Sequence, residues 1–505
     1  MAHPIEHPTY LQDIRFLFTP GDMGCMAARG IDLRTYEGVK INAQRIYFHV
    51  REGTMPPPSM GRRWPSEQVE TFYNWMRDGY PRGVAPQHAA LSAVQTAGRV
   101  RYDLEKLDVN GPEIAKLRKA FEGIMARDPD DPTSYFAVAG QHWLPTPDVY
   151  CRHHENAYNP WHRAYLMTFE NALRSVEGCE DVTLPYWDIA SGKMPEILSQ
   201  PPFDKYVIPR KLVSLDQQWI YDAGTVTSRY PDATILDNID VQYDVSGRIQ
   251  TALGASRWED FNGWHADDPW ISGQPRHSGI IVAHDGGHVS CGTTMENQDI
   301  AAFDPIFWFF HCNWDRLWWR WQQLYSATTL EDFKTTLIDD GFWLTDPIAN
   351  VLTPFGIGAD ETINLADMDV DYVHPENEQI PTVAQPMLAG AVAMQGVLVP
   401  DPDQLVVKIR GVDRLQIPGS FDLILTADGA PIGRLPVFQS TTPKQCATCR
   451  KTAVFTGTFD VKRTEVKGRR LAARVEMIGR SGKRSAFPLS QAGAPRIDVS
   501  VKMVE

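Results

Sequence analysis

Hydrophobic positions recur along this chain with two different periods, and the change from one to the other divides it. Between Pro112 and about Tyr325 apolar residues return at helical spacing, with long Pro-, Gly- and Trp-rich loops between the runs. In PEIAKLRKAFEGIMARD the residues Ile114, Leu117, Phe121, Ile124 and Met125 line one face. PWHRAYLMTFENALRSVEG opens on Pro160 in a first turn and closes at Gly178. DPIFWFFHCNWDRLWWRWQQLY is aromatic nearly all round, which marks a buried helix, with Asp304 as N-cap and Pro305 at its first position. Ahead of this region, EGVKINAQRIYFHVREG and WPSEQVETFYNWMRDGYPRG predict two further helices, the second ending at Gly79 and Pro81. From about residue 404 the period becomes two, in QLVVKIRGV, in SFDLILTADGAPIGRL with its Asp428-Gly429 turn, in AVFTGTFDV and in LAARVEMIG.

The expected organisation is mainly α: residues 1–100 as an N-terminal extension packed on the core, 101–345 as a helical domain, 346–403 as an acidic linker and 404–505 as a smaller β-sandwich or barrel. Residues 346–381 carry eight acidic and no basic side chains, which reads as a solvated connecting stretch. Residues 444–484 carry twelve Lys/Arg against three Asp/Glu, a basic face suited either to solvent or to the acidic remainder of the same chain.

Composition narrows the function. The net charge of −14 argues against nucleic acid as a partner. No apolar run approaches the ~18 residues of a membrane span. The N-terminus has neither a basic nor an apolar signal region, so a cytoplasmic location is expected. Seven cysteines are too few and of the wrong parity for a disulfide scaffold, and no Cys-x-x-Cys-His is present to attach haem.

The chemistry lies in six of the fourteen histidines. His142 (AGQHW), His153 (CRHHENAYNP) and His162 (PWHRAYL) form one group; His284 and His288 (HDGGH) and His311 (FWFFHCNWDR) form a second. His284 and His288 stand four apart, so on a helix both rings leave one face. Burial among Phe307, Trp308, Phe309, Phe310 and Trp314 disfavours the imidazolium form of His311 and leaves a neutral ring that can bind metal. Three imidazoles per ion suit Cu, Zn, Fe or Ni and leave a position open. A lone His-x-x-x-His is a weak signal and a lone buried His is usually core; two matching triplets are harder to explain that way.

CRH…NPWHRAYL and HDGGH…FDPIFWFFHCNWDRLW resemble the two copper-binding regions of the tyrosinase and polyphenol oxidase family, and AGQHW resembles its first-ligand segment. The resemblance implies a four-helix bundle with a binuclear copper site, one ion on His142, His153 and His162 and the other on His284, His288 and His311, with dioxygen between them. His153 is preferred to its neighbour His154 because Cys151-Arg152-His153 resembles the Cys-x-His of fungal-type members, where the sulfur is cross-linked to the ring. Phe307, four residues before His311, then forms an aromatic wall over one copper, and Asp315, four after it, is an ion-pair or supporting acceptor. Relatives that hydroxylate monophenols pair an Asn after the fourth His with an upstream Glu; here those places hold Asp285 and Ile280 or Ile281. Asp285 becomes a candidate base or water-orienting group, and Gln298 a candidate water holder or a solvent-facing residue. PVFQSTTPKQCATCRKTAVFTGTFDV resembles the carboxyl domain of latent fungal members, which implies copper delivery by Cys446 and Cys449 and an aromatic side chain shielding the site, with Phe438 and Phe455 as candidates.

The expected activity is copper-dependent oxidation of small phenols and catechols by dioxygen, including ortho-hydroxylation. The alternatives are a catechol oxidase or an o-aminophenol oxidase without hydroxylation, or a non-catalytic dioxygen carrier. A homo-oligomer stays open, and a zinc or iron hydrolase is disfavoured because no bridging carboxylate accompanies the histidines.

Overall fold

The structure, a computed structural model, describes residues 4–504 except 11–12, 19–25, 27–32, 34–35, 56–62, 83–97, 143–149, 214–219, 264–278, 337–341, 347–349, 377, 379–380, 382–398 and 480–481. The chain forms two units, one of residues 1–96 with 342–351, the other of 97–341 with 352–505. In the first, helices α1 (Tyr36–Arg51) and α2 (Ser66–Arg77) enclose a small aromatic core that includes Ile14, Val39, Ile46, Phe72 and Trp75. Helix α2 stops where expected: Gly79 takes φ +79°, and the Trp75 indole donates to the Pro81 carbonyl at 2.9 Å.

The second unit contains both the helical domain and the β-domain. Four helices dominate the former: α3 (Pro112–Met125), α4 (Tyr158–Arg174), α5 (Ile280–Cys291) and α6 (Ile306–Leu324). Asp304 Oδ1 accepts the Ile306 amide at 3.2 Å, which starts α6 as its sequence implies. The aromatic positions that repeat along α3, α4 and α6 meet in the bundle interior. Phe121 stacks on Phe309 at 5.6 Å, and Phe169 lies flat on Trp308 at 3.5 Å. Among the described residues no helix is long and apolar enough to cross a membrane.

Residues 352–376 overturn the solvated reading of the acidic stretch. Leu352, Ala359, Ile363 and Leu365 are buried, and strand β2 (Val370–Tyr372) pairs in parallel with β1 (Arg99–Arg101). The cause is charge hidden in the bundle. Arg101 and Arg163 are fully buried and need acceptors. Arg163 Nε donates to Asp315 Oδ1 at 2.5 Å and its Nη1 to the Thr362 carbonyl at 2.7 Å. Arg101 donates to Glu170 at 3.2 Å and to the Tyr372 hydroxyl at 2.7 Å, and that hydroxyl donates to Asp315 at 2.6 Å. Asp315 is therefore an ion-pair residue of the core. Arg316 pairs with Glu378, an acid of the same stretch. Most acids of the segment do face solvent, but its apolar residues and the groups at Thr362 and Tyr372 are packed on the bundle.

The β-domain is a two-sheet structure. Strand β3 (Val399–Asp413) is central to three, between β6 (Val454–Lys462) and β9 (Gly493–Val504). The other sheet has the order β8-β7-β4-β5, with β4 (Phe421–Ala427), β5 (Ala430–Val437), β7 (Leu471–Ile478) and β8 (Arg484–Phe487). The sheets approach closely at Gly457, where a Cβ would stand 2.4 Å from Leu423. Helix α7 (Ala447–Lys451) follows the β5 loop.

Replacing Asp315 by Leu leaves two buried guanidinium groups short of a carboxylate. It is expected to lower stability by about 3–5 kcal/mol, read as a shift of the urea midpoint.

Candidate metal centre

The six histidines converge. His142 follows the short helix Tyr135–Gly140, whose Ser134 cap accepts the Ala137 amide at 3.0 Å. His153 comes from the loop before α4, His162 from the first turns of α4, His284 and His288 from one face of α5, and His311 from α6. Gly287 lets α5 and α6 meet, since a Cβ there would lie 2.7 Å from the Phe310 ring. All six are nearly inaccessible to solvent. The ligand atoms of His142, His153 and His162, with Cys151 Sγ, lie within 4.8 Å of one another, and those of His284, His288 and His311 form a second such group. The two groups face each other: the rings of His162 and His311 stack at 4.4 Å and 7°.

Hydrogen bonds behind the rings decide which nitrogens point inward. His162 Nδ1 lies 2.8 Å from the Tyr158 carbonyl and His288 Nδ1 2.8 Å from the Met295 carbonyl. A carbonyl only accepts, so Nδ1 carries the proton and Nε2 offers a lone pair in both. His284 Nδ1 is 3.0 Å from Asp285 Oδ1, leaving its Nε2 inward as well. Among the described residues, both nitrogens of His142, His284 Nε2 and His311 Nδ1 have no hydrogen-bond partner. His288 Nε2 and His311 Nε2 turn to one point, 3.2 Å apart. Buried nitrogens left facing one another are costly in a dry core and fit a metal pair held by imidazole alone. Burial pushes every one of the six down from the ordinary histidine value, His162 and His288 to about 3, so all are neutral ligands near neutral pH. Neither group contains a carboxylate.

The other candidate residues fall in different places. Phe307 stands at the centre, its ring 4.1 Å from His311 and 5.0 Å from His142. Cys151 Sγ lies 3.0 Å from Nδ1 and 3.6 Å from Nε2 of His153, so it faces the ring carbon between those nitrogens. Gln298 is buried and its amide nitrogen lies 2.7 Å from His153 Nδ1; it holds a ligand ring and does not face solvent. Asp285, the candidate base or water-orienting group, is fully buried, which pushes its carboxyl well above the ordinary value. It sits behind His284 and takes three donors: His284 through Oδ1, and His154 Nε2 at 2.8 Å and the Phe438 amide at 3.0 Å through Oδ2. Cys446 and Cys449 form a disulfide with each other. Of the two shielding candidates, Phe455 belongs to the β-sheets, 6.3 Å from Phe421, whereas Phe438 lies flat on His288 at 3.9 Å and 10°.

Three participants were given no role from the sequence. His154 takes a left-handed φ of +59°, which turns its ring away from the metal group and onto Asp285. Asp299 accepts Ser440 Oγ at 2.8 Å and the Thr441 amide at 3.1 Å, pinning the loop that carries Phe438. Arg414 reaches His154 from the β-domain. Doubling at His153-His154 was the signal for the first; nothing local marked the other two.

Comparison with known proteins agrees with this geometry. The family model for the common central domain of tyrosinase matches residues 132–324. The chain is 24% identical to a tyrosinase of Aspergillus oryzae, over 71% of this chain and 89% of that protein. It is 26% identical to hemocyanin 2 of Megathura crenulata over 45% of this chain and 6% of the hemocyanin. A solved tyrosinase of Burkholderia thailandensis superposes with a TM-score of 0.58 at 22% identity, covering 80% of this chain and all of that one.

The depressed histidines set an acid limit. Unfolded imidazoles bind protons below about pH 6.5, whereas His162 and His288 refuse them down to about 3, so stability is complete above 6.5 and lost as pH falls. Between pH 6.5 and 5 the metal-free chain is expected to lose about 2 kcal/mol for each of these two histidines, visible as a falling thermal midpoint.

Proposed function

Since its central domain belongs to the tyrosinase and polyphenol oxidase family, a group of type 3 copper oxidases, we propose that this chain oxidises small phenols and catechols with dioxygen and is held latent by its own β-domain. The two facing imidazole triads carry the first half of this reading. Copper, when bound there, supplies dioxygen binding and two-electron oxidation of a catechol to its o-quinone. The chain's own residues do the rest. Phe307 and the aromatic helix α6 exclude water, the carbonyls of Tyr158 and Met295 hold two ligand rings in one tautomer, and Gln298 orients a third.

Phe438 carries the second half. Its ring lies parallel on His288, 5.2 Å from His153 and 5.9 Å from His284, which is where a flat phenol would rest to reach both ions. Its loop is fastened at Asp285 and at Asp299, and the neighbouring α7 adds the Thr448 hydroxyl on the Cys151 carbonyl at 3.1 Å and Lys451 on Glu155 at 2.7 Å. The position of Cys151 against the His153 ring carbon also supports a thioether, whose formation would be a two-electron oxidation at the expense of dioxygen that removes two hydrogens from the chain's mass.

Ile280 and Ile281 are buried apolar side chains where a hydroxylating relative places its water-holding Glu, and Asp285 is engaged behind His284. Those observations favour catechol or o-aminophenol oxidation over hydroxylation of monophenols.

Oxygen uptake by the copper-loaded chain on a catechol and its matching monophenol tests the proposal. Uptake is expected to rise at least tenfold, in the order-of-magnitude sense of one unblocked site, on proteolytic release of the β-domain or in Phe438→Ala. Equal rates before and after both treatments reject latency; no uptake on either substrate with two coppers bound turns the reading to a dioxygen carrier.

A further inference from the structure

A line of hydrogen bonds runs from the β-domain to a metal ligand, and the arginine at its head sets the direction of the first two. Arg414 Nη1 lies 2.8 Å from His154 Nδ1. A guanidinium only donates, so His154 accepts at Nδ1 and carries its proton on Nε2. That proton goes to Asp285 Oδ2 at 2.8 Å, and Oδ1 of the same carboxylate takes the Nδ1 proton of His284 at 3.0 Å. His284 is left with its Nε2 lone pair toward the metal group. With the Asp285 carboxylate accepting at both oxygens, every bond in this sequence runs the same way.

Both ends are held. Arg414 is fully buried, its Nε donates to Gln439 Oε1 at 2.8 Å, and its Nη1 also reaches Thr452 Oγ1 at 3.2 Å. Gln439 is in turn fixed by the carbonyls of Arg414, Ile417 and Gly419. His154 is kept in its left-handed backbone conformation by packing and by these two bonds. Asp285 receives a further donor from the same domain, the Phe438 amide at 3.0 Å. Two of the groups that order this carboxylate thus belong to the domain expected to leave on activation.

We propose that Arg414 is a positioning residue of the metal centre, fixing the ring of His284 through His154 and Asp285, so that the β-domain helps to build the ligand set it covers. This rests on the copper reading. Partners behind a ligating histidine typically change metal affinity by 10–100-fold, because they set its tautomer and ring orientation. Release of the β-domain therefore uncovers a site whose second triad is held less firmly than in the closed chain.

The test is copper retention in the full chain, loaded with two Cu(I) and challenged with the Cu(I) chelator bathocuproine disulfonate. Wild-type chain that holds no copper overturns the oxidase reading itself, separately from this proposal. With copper held, Arg414→Met and His154→Leu are each expected to release one of the two ions about tenfold or more faster. Arg414→Lys, which still donates, restores most of the retention. Lys451→Met, which loosens docking of the β-domain without touching the line, releases copper as wild type does. Arg414→Met combined with Asp285→Asn is no faster than Asp285→Asn alone, because the arginine acts through the carboxylate. Unchanged retention in Arg414→Met and His154→Leu overturns the proposal, as does equal acceleration by Lys451→Met, which would reduce Arg414 to a docking contact. Should Arg414→Met not fold, His154→Leu gives the same decision, since it breaks the line and leaves both ends in place.

Discussion

Six neutral imidazoles buried at one point, with no carboxylate among them, are the constraint around which the rest of this chain is arranged. Each ring has two nitrogens, and a dry interior tolerates neither unpaired. The fold answers by spending backbone carbonyls on the outer nitrogens of His162 and His288 and a carboxylate on His284. What remains inward cannot be satisfied by protein and is what a metal pair would complete. The aromatic shell of α6, Gly287 and the tight α5–α6 approach follow from keeping water away from that point.

The same logic explains how far the sequence could be read. Ligands on helices were legible because the helix fixes their spacing: His284 with His288, and His311 four residues after Phe307. The β-domain was legible from its alternation and its turn at Asp428-Gly429. Asp285 was misjudged because sequence gives adjacency and not direction; next to His284 it looked available, yet the helix turns it to the back of its neighbour's ring. Residues 346–381 were misjudged for a related reason. Most of their acids are exposed, but Glu378 lies against Arg316 and Arg320 of α6 and the Thr362 carbonyl against Arg163, contacts that local composition does not report.

Charge in the β-domain tells a similar story. The basic surplus of 444–484 suggested a face docked on an acidic surface. Lys451 does pair with Glu155, but Arg484 serves chiefly the buried Asp422 of its own domain and the hydroxyl of Tyr243, while Lys462, Arg463 and Lys467 stay largely at the surface. Docking is specified by the loop of Phe438 and by buried polar bonds to Asp285 and Asp299, interactions that net charge does not report.

The strand β2 beside β1, with Tyr372 on Asp315 and Glu378 on Arg316, acts as a belt that buckles the helical bundle from outside. A bundle closed this way has a minimum length. A fragment ending near residue 345, where the helical pattern stops, would lose the acceptor of Arg163 at Thr362, the hydroxyl over Asp315 and the acid between Arg316 and Arg320. A helical core cut from this chain would therefore have to extend at least through Glu378. The useful boundary for cutting this chain is set by its buried arginines and not by the end of its last long helix.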